Sequence, residues 1–321
     1  MERRFRMFAW SVLAYTVFVI LWGAYVRATG SGAGCGAHWP LCNGEVIPRV
    51  GSEKTLVELG HRVTSGVAWV LALVLAVWAR RASGPGAPVR RAAACSFVLM
   101  TTEALIGASI VLLEKVADDA SIARGGWMVA HLLNTFLLLA ALAMTAWYAS
   151  SPRRPRLRVR GPAGWVAVAA ASGALLLGAS GAITALGDTL FPETSFEAGL
   201  SPAAHVFLQL RVLHPLIALV VGLLVLLGAG YLAGKRPSRT VRVLAISVAA
   251  LYVAQIGLGF LNVALMAPVW LQLVHLLFAD LVWLAIVLLG ASALDATAAA
   301  TAPARRPSGD LDVVEGEASS G

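Results

Sequence analysis

Charge is what this sequence has least of. Asp, Glu, Lys and Arg make up 13% of its 321 residues, where a soluble domain carries about 25%. That shortage excludes an ordinary water-facing surface. Cysteine is almost missing: three residues cannot build a disulfide-rich scaffold. Acidic residues are outnumbered 17 to 25 by basic ones, for a net charge of +8. The basic excess does not form a stripe that would suit nucleic acid. It gathers in short segments between apolar runs, which is a topology signal. What is abundant is hydrocarbon. The chain is 59% hydrophobic, with a mean hydropathy of +0.78, and many runs reach the roughly 20 residues that a spanning helix needs.

Eight spans are expected, near 8–27, 57–79, 92–114, 126–148, 164–187, 204–233, 241–262 and 269–292. The first is read as a retained helix because no small-residue cleavage site follows it. Arg3, Arg4 and Arg6, then Arg80, Arg81, Arg90 and Arg91, then Arg153 to Arg160, then Lys235, Arg236, Arg239 and Arg242, and finally Arg305 and Arg306 all fall on one side of an eight-span chain. The opposite loops hold few basic residues, among them Arg49, Lys54, Lys115 and Arg124. Both termini are therefore expected in the cytoplasm, with the chain multi-pass in the cell membrane.

The two halves read as copies. Gly23-Ala24 and Gly181-Ala182 end spans one and five. His61 and His214 belong to spans two and six. Glu103 precedes Gly107 as Gln255 precedes Gly259, and His131-Leu132-Leu133 matches His275-Leu276-Leu277. The expected fold is all-α: a polytopic membrane protein of eight transmembrane helices arranged as two pseudo-symmetric four-helix bundles. Residues 1–152 form the first bundle, 153–163 a basic cytoplasmic linker and 164–294 the second bundle. Residues 295–321 form a tail rich in Ala, Ser, Gly, Pro and acid, too polar to order itself.

Ionisable groups beside hydrocarbon are costly and usually functional. His61, His131, His214 and His275 all approach the outer ends of even-numbered spans, with His214 about ten residues in, the deepest. Two imidazoles from facing helices of an apolar bundle are natural axial ligands for haem iron, and a site near the outer face lets propionates reach water. Interhelical hydrogen bonding is the rival reading for each histidine alone. Zinc would find its shell incomplete. His38 and His205 lie outside the pattern, as loop histidines. Arg27, Arg62 and Arg211 sit at outer helix ends and suit propionates, with interfacial snorkelling as the alternative. Asn134 either supports His131 or ties helices together.

Glu58 shares a face with His61, and Arg211 stands at its place in the second copy. It is the catalytic candidate, against a simple helix-dipole role. Glu103 reads as a hydrogen-bonded structural carboxylate. Cys35 and Cys42 face an oxidising compartment, as a structural bridge or as a redox dithiol. Cys95 is expected to be a small buried hydrophobe.

Several pieces together carry a family resemblance. They are Gly23-Ala24-Tyr25-Val26-Arg27-Ala28-Thr29-Gly30-Ser31-Gly32, the loop from Cys35 through Trp39-Pro40-Leu41 to Cys42, Glu58-Leu59-Gly60-His61-Arg62, the three later histidines and Leu261-Asn262-Val263. With these the chain, over about 8–290, resembles the haem A synthase family. The loop departs from the Cys-Pro-Asp-Trp-Pro pattern of many members in that Gly36-Ala37-His38 stands between Cys35 and Trp39, which leaves the cysteine pair intact. The resemblance implies oxidation of a ring methyl of haem O to a formyl group, through hydroxylated intermediates, to make haem A for terminal oxidases. By position, His61 and His131 would flank the substrate haem O, and His214 and His275 would ligate a haem b. Glu58 would serve the oxidation, and Cys35 and Cys42 would be the family's loop pair. Implied partners are haem O, haem O synthase, oxidase assembly factors, membrane lipid and an electron acceptor, with no nucleic acid. Two other classes compete: a di-haem electron-transfer protein and a haem carrier. The cysteine loop and Glu58 favour the enzyme.

Overall fold

The computed structural model describes residues 2–46, 48, 51–151, 155–192 and 197–296. Arg49, Arg153, Arg154, Glu193 and the tail from 297 onward, with Arg305 and Arg306, lie outside the described residues. In hydrocarbon every backbone N–H and C=O must be satisfied within the segment, so apolar runs become helices. Eight result: α1 (Arg3–Ala28), α2 (Glu53–Ala82), α3 (Pro88–Leu112), α4 (Ile122–Ser150), α5 (Gly161–Leu190), α6 (Val206–Lys235), α7 (Arg239–Ala264) and α8 (Val269–Ala293). All eight are long and apolar enough to cross a membrane. A short 3-10 turn, Glu197–Leu200, precedes α6.

Most helices extend past the apolar runs, by up to five residues at an end. The reason is capping chemistry that hydropathy does not register. Ser52, Ser121 and Ser238 accept hydrogen bonds from Thr55, Arg124 and Val241 backbone N–H groups, satisfying donors that the first helical turn leaves free. Pro88 and Pro162 occupy the first turns of α3 and α5, where a missing N–H costs nothing. His205 turns out to be the N-cap of α6, its Nδ1 accepting from Phe207 N at 3.3 Å.

Packing divides the helices into two rings. α1 to α4 pack in sequence and close through α1 against α4; α5 to α8 do the same, closing through α5 against α8. The seam uses α4 with α5, α4 with α8, α1 with α8 and α1 with α5. Shifting every helix number by four reproduces that seam, as a two-fold-related duplication requires. Aromatic residues pack across the seam. Trp283 Nε1 donates to Phe136 O at 2.6 Å, and the Phe136 and Trp283 rings stack at 5.4 Å. Outward faces carry apolar residues such as Leu216, Leu219, Val220, Leu223 and Leu227 of α6, which suits lipid. Cys95 departs from expectation. It is exposed on this outer side of α3, because the helix turns Ser96 inward, fully buried, towards Thr145.

Arg27 stitches the halves together. From α1 it donates to Ala185 O and Thr189 Oγ1 on α5, and at 3.1 Å to Gln272 Oε1 on α8. Ala185 is the repeat counterpart of Arg27, so this clamp lies close to the pseudo-two-fold axis. Arg27→Met removes charged hydrogen bonds, each worth about 1.5–3 kcal/mol. We expect a clear fall in thermal midpoint in detergent, by several degrees; an unchanged midpoint would show that the clamp does not hold the halves.

Candidate functional site

His61 on α2, His131 on α4, His214 on α6 and His275 on α8 are the ninth, tenth, ninth and seventh residues of their helices. At 1.5 Å per residue they lie about 9–14 Å below the helix starts. Apolar runs alone put His214 deepest; the earlier starts of α2 and α4 remove that difference. Each ring rests against a glycine of the preceding helix. A Cβ on Gly23 would stand 2.8 Å from His61 Cε1, on Gly181 3.2 Å from His214 Cε1, on Gly259 3.4 Å from His275 Cε1 and on Gly107 3.8 Å from His131 Cε1. Gly23 pairs with Gly181 in the repeat, and Gly107 with Gly259. The glycines were visible in the sequence as repeat matches, but what they face was not.

His61 lies within electrostatic reach of His131, and His275 within that of His214. All four rings are half-buried. Nδ1 of His61, of His131 and of His275 is buried without a hydrogen-bond partner, while His214 Nδ1 meets Ser180 Oγ at 2.8 Å. Such imidazoles, two per apolar bundle and each set against a glycine of the preceding helix, fit the demands of axial haem ligation. Among the described residues, no three His, Cys, Asp or Glu side chains gather to hold a bare metal ion, so a zinc shell lacks donors.

Glu58 is buried, at 3% exposure, in the second turn of α2. It points at the loop between α1 and α2. Its Oε2 accepts from Cys35 N at 2.8 Å, and its Oε1 pairs with Arg62 at 2.5 Å. Arg62 also donates to His38 O and Leu41 O, both at 2.6 Å. A disulfide joins Cys35 and Cys42, with Cα atoms 4.4 Å apart. Thr55 Oγ1 donates to Gly34 O, and a Cβ on Gly34 would strike the Lys54 and Thr55 backbone. The loop is therefore seated on the start of α2 by backbone contact and by the Glu58–Arg62 pair. Loop and pair together cover one end of the bundle that holds His61 and His131.

The other half reverses the charges. Arg211, at the register of Glu58, is buried and donates to Asp188 Oδ1 at 3.2 Å. Arg27, Arg62 and Arg211 thus all have protein partners. Asn134 bonds to Thr102 Oγ1, Leu99 O and Glu103, which joins α3 to α4 next to His131. Sequence reasoning passed over Asp280. It is fully buried in α8 with neither carboxylate oxygen hydrogen-bonded. An intramembrane aspartate five residues after His275 was the available signal.

These features define a class: an eight-helix membrane protein of two repeated bundles, each with an imidazole pair, only one of them under a disulfide loop. The chain belongs to the COX15-CtaA family of cytochrome oxidase assembly proteins, which matches it over residues 6–287. Two Thermus thermophilus chains named protoheme IX farnesyltransferase are each 53% identical to it over 293 residues, covering 90% of this chain and 48% of theirs. The chain spans about half the length of those relatives. A heme A synthase of Geobacillus kaustophilus is 41% identical over 112 residues, 35% of each chain. One of Alkalihalophilus pseudofirmus is 36% identical over 146 residues, 44% of this chain and 48% of its own.

Proposed function

We propose that this protein is a haem A synthase of the cell membrane, with both termini cytoplasmic. It would oxidise a ring methyl of haem O to a formyl group, by way of hydroxylated forms. The observation that carries the reading is the inequality of the two bundles within a family of oxidase assembly proteins. Both hold an imidazole pair seated on glycines, but among the described residues only the first has a disulfide loop, anchored on the buried Glu58 carboxylate, beside it. A protein that merely relayed electrons would have no need of a covered, specialised half.

In this reading His61 and His131 hold the substrate haem O, and His214 and His275 hold a haem b. An unactivated methyl is beyond side-chain chemistry; bound haem iron would supply the oxidising power, with an external electron acceptor taking the electrons and water or dioxygen giving the formyl oxygen. The chain's own residues do the rest. The helices bury the macrocycle, the loop on Glu58 and Arg62 limits water, and Glu58 takes up or relays a proton released near the substrate's edge. Propionates would share Arg27, Arg62 or Arg211 with their present partners. The Thermus relatives, named for farnesyl transfer to protohaem IX and matched over only half their length, support haem O synthase as a partner, because such a transfer makes a farnesylated haem.

Chromatography of haems extracted from the purified protein, expressed with and without a haem O supply, tests this. We expect haem A or its hydroxylated precursor only with haem O present. Haem b alone in both preparations would favour the electron-transfer class.

A further inference from the structure

Each bundle carries a polar side chain one helical turn before the glycine that faces its second histidine. In the first it is Glu103, four residues before Gly107; in the second, Gln255, four before Gly259. One is acidic and the other neutral. Glu103 Oε1 lies 3.3 Å from His131 Nδ1. Its carboxylate is held in place from α4: Oε1 accepts from Thr135 Oγ1, and Oε2 from Asn134 Nδ2. Asn134 is itself fixed by Thr102 Oγ1 at 2.7 Å and Leu99 O at 2.9 Å. In the second bundle Gln255 Nε2 lies 3.3 Å from His275 Nε2, and its Oε1 has no partner.

We propose that Glu103 is the positioning residue of the first haem site: its carboxylate, set against Nδ1 of His131, orients that imidazole and strengthens it as an iron ligand, and the neutral Gln255 leaves the second site without this charge. The proposal rests on the haem-binding part of the function proposed above, though not on the oxidation. A carboxylate facing the far nitrogen of a ligating imidazole fixes its tautomer and raises its basicity. The two groups lie at ion-pair distance without forming a hydrogen bond. In a low-dielectric interior the negative charge would also favour ferric over ferrous iron, so a haem in the first site would be held at the lower potential.

The asymmetry extends to the partner ligands. His61 Nδ1 has no partner, whereas His214 Nδ1 meets Ser180. Within the first bundle His131 has a carboxylate 3.3 Å from its Nδ1, and no such group stands at Nδ1 of His61. That arrangement suits a haem that must be gripped, processed and released. In the second bundle His214 Nδ1 meets the neutral Ser180, and the neutral Gln255 stands at Nε2 of His275, whose Nδ1 has no partner.

The rival is simple: Glu103 glues α3 to α4 through Asn134 and Thr135. Glue needs hydrogen bonds, not charge, so charge-neutral and reciprocal variants separate the two. The measurement is an optical redox titration of the full-length protein with both haems loaded, the first haem being the one lost in His131→Ala. Glu103→Gln is expected to raise the midpoint potential of the first haem and leave the second unmoved. Its affinity for ferric protohaem should fall on the order of 10–100-fold. Gln255→Glu is expected to lower the potential of the second haem. Unchanged potentials in both variants would overturn the proposal. If Glu103→Gln loses its haem altogether, Gln255→Glu decides: a downward shift supports the role of the charge, and no shift overturns it. A wild type that binds two haems yet leaves haem O unchanged would defeat the synthase reading and leave this test intact.

Discussion

Gly181→Leu should strip the second bundle of its haem while the first keeps its own, and Gly23→Leu should do the reverse. The expectation comes from the seats under the histidines. A Cβ at Gly23 already stands 2.8 Å from His61 Cε1 and 3.0 Å from its Nε2, and one at Gly181 stands 3.2 Å from His214 Cε1. A leucine at either position would occupy the volume of the imidazole, on a backbone that cannot retreat because neighbouring helices hold it. Alanine makes a finer scale. Overpacking typically costs about 1–3 kcal/mol, and the separations rank the damage: Gly23→Ala most, then Gly181→Ala, then Gly259→Ala, with Gly107→Ala close to wild type at 3.8 Å. Haem content per chain and the reduced-minus-oxidised spectrum read this directly. Full haem content in Gly23→Leu would mean that the ring does not sit where iron is bound.

Glu58→Ala and Glu58→Gln should fail in different ways. Alanine leaves the Arg62 guanidinium without its carboxylate in a place where the side chain is only 11% exposed. It also leaves Cys35 N–H unpaired. Breaking one side of a buried ion pair costs about 3–5 kcal/mol. The loop from Cys35 to Cys42 should then loosen, and reductant and protease should reach it faster. Glutamine retains an acceptor for Cys35 N–H and a partner for Arg62, so fold and haem content should survive. If Glu58 handles a proton in the oxidation, turnover of haem O should nonetheless fall, by roughly the 10²–10⁴-fold that acid–base groups contribute. Full turnover in Glu58→Gln with substrate haem bound would remove Glu58 from the chemistry and leave it as the loop's anchor.

Much of this architecture was legible beforehand. Lipid as solvent forces a near-continuous apolar run of fixed length for each crossing, so eight spans could be counted in one dimension. The duplication was legible because glycines, histidines and the Glu103–Gln255 pair recur in order. Cys95 and the helix ends were not, for a common reason. Hydropathy averages over a window, whereas rotation about a helix axis and capping are decided residue by residue. A one-residue change of facing put Ser96 inside and Cys95 against lipid. Serine caps carried α2 and α4 beyond their apolar runs and so brought His61 and His131 to the depth of His214.

The sequence by itself determined the solvent, the number of crossings, the repeat and the four histidines proposed to hold haem. The tertiary structure alone decided which polar groups meet. Glu58 found Cys35 across 23 residues, Arg27 found Gln272 across 245, and Glu103 came to face His131 rather than Asn134 and Thr135 only. The physical reason is that burial in lipid is set by local composition. The pairing of a few polar groups inside a bundle depends on helix rotation and on the order in which helices pack, and no local composition records either.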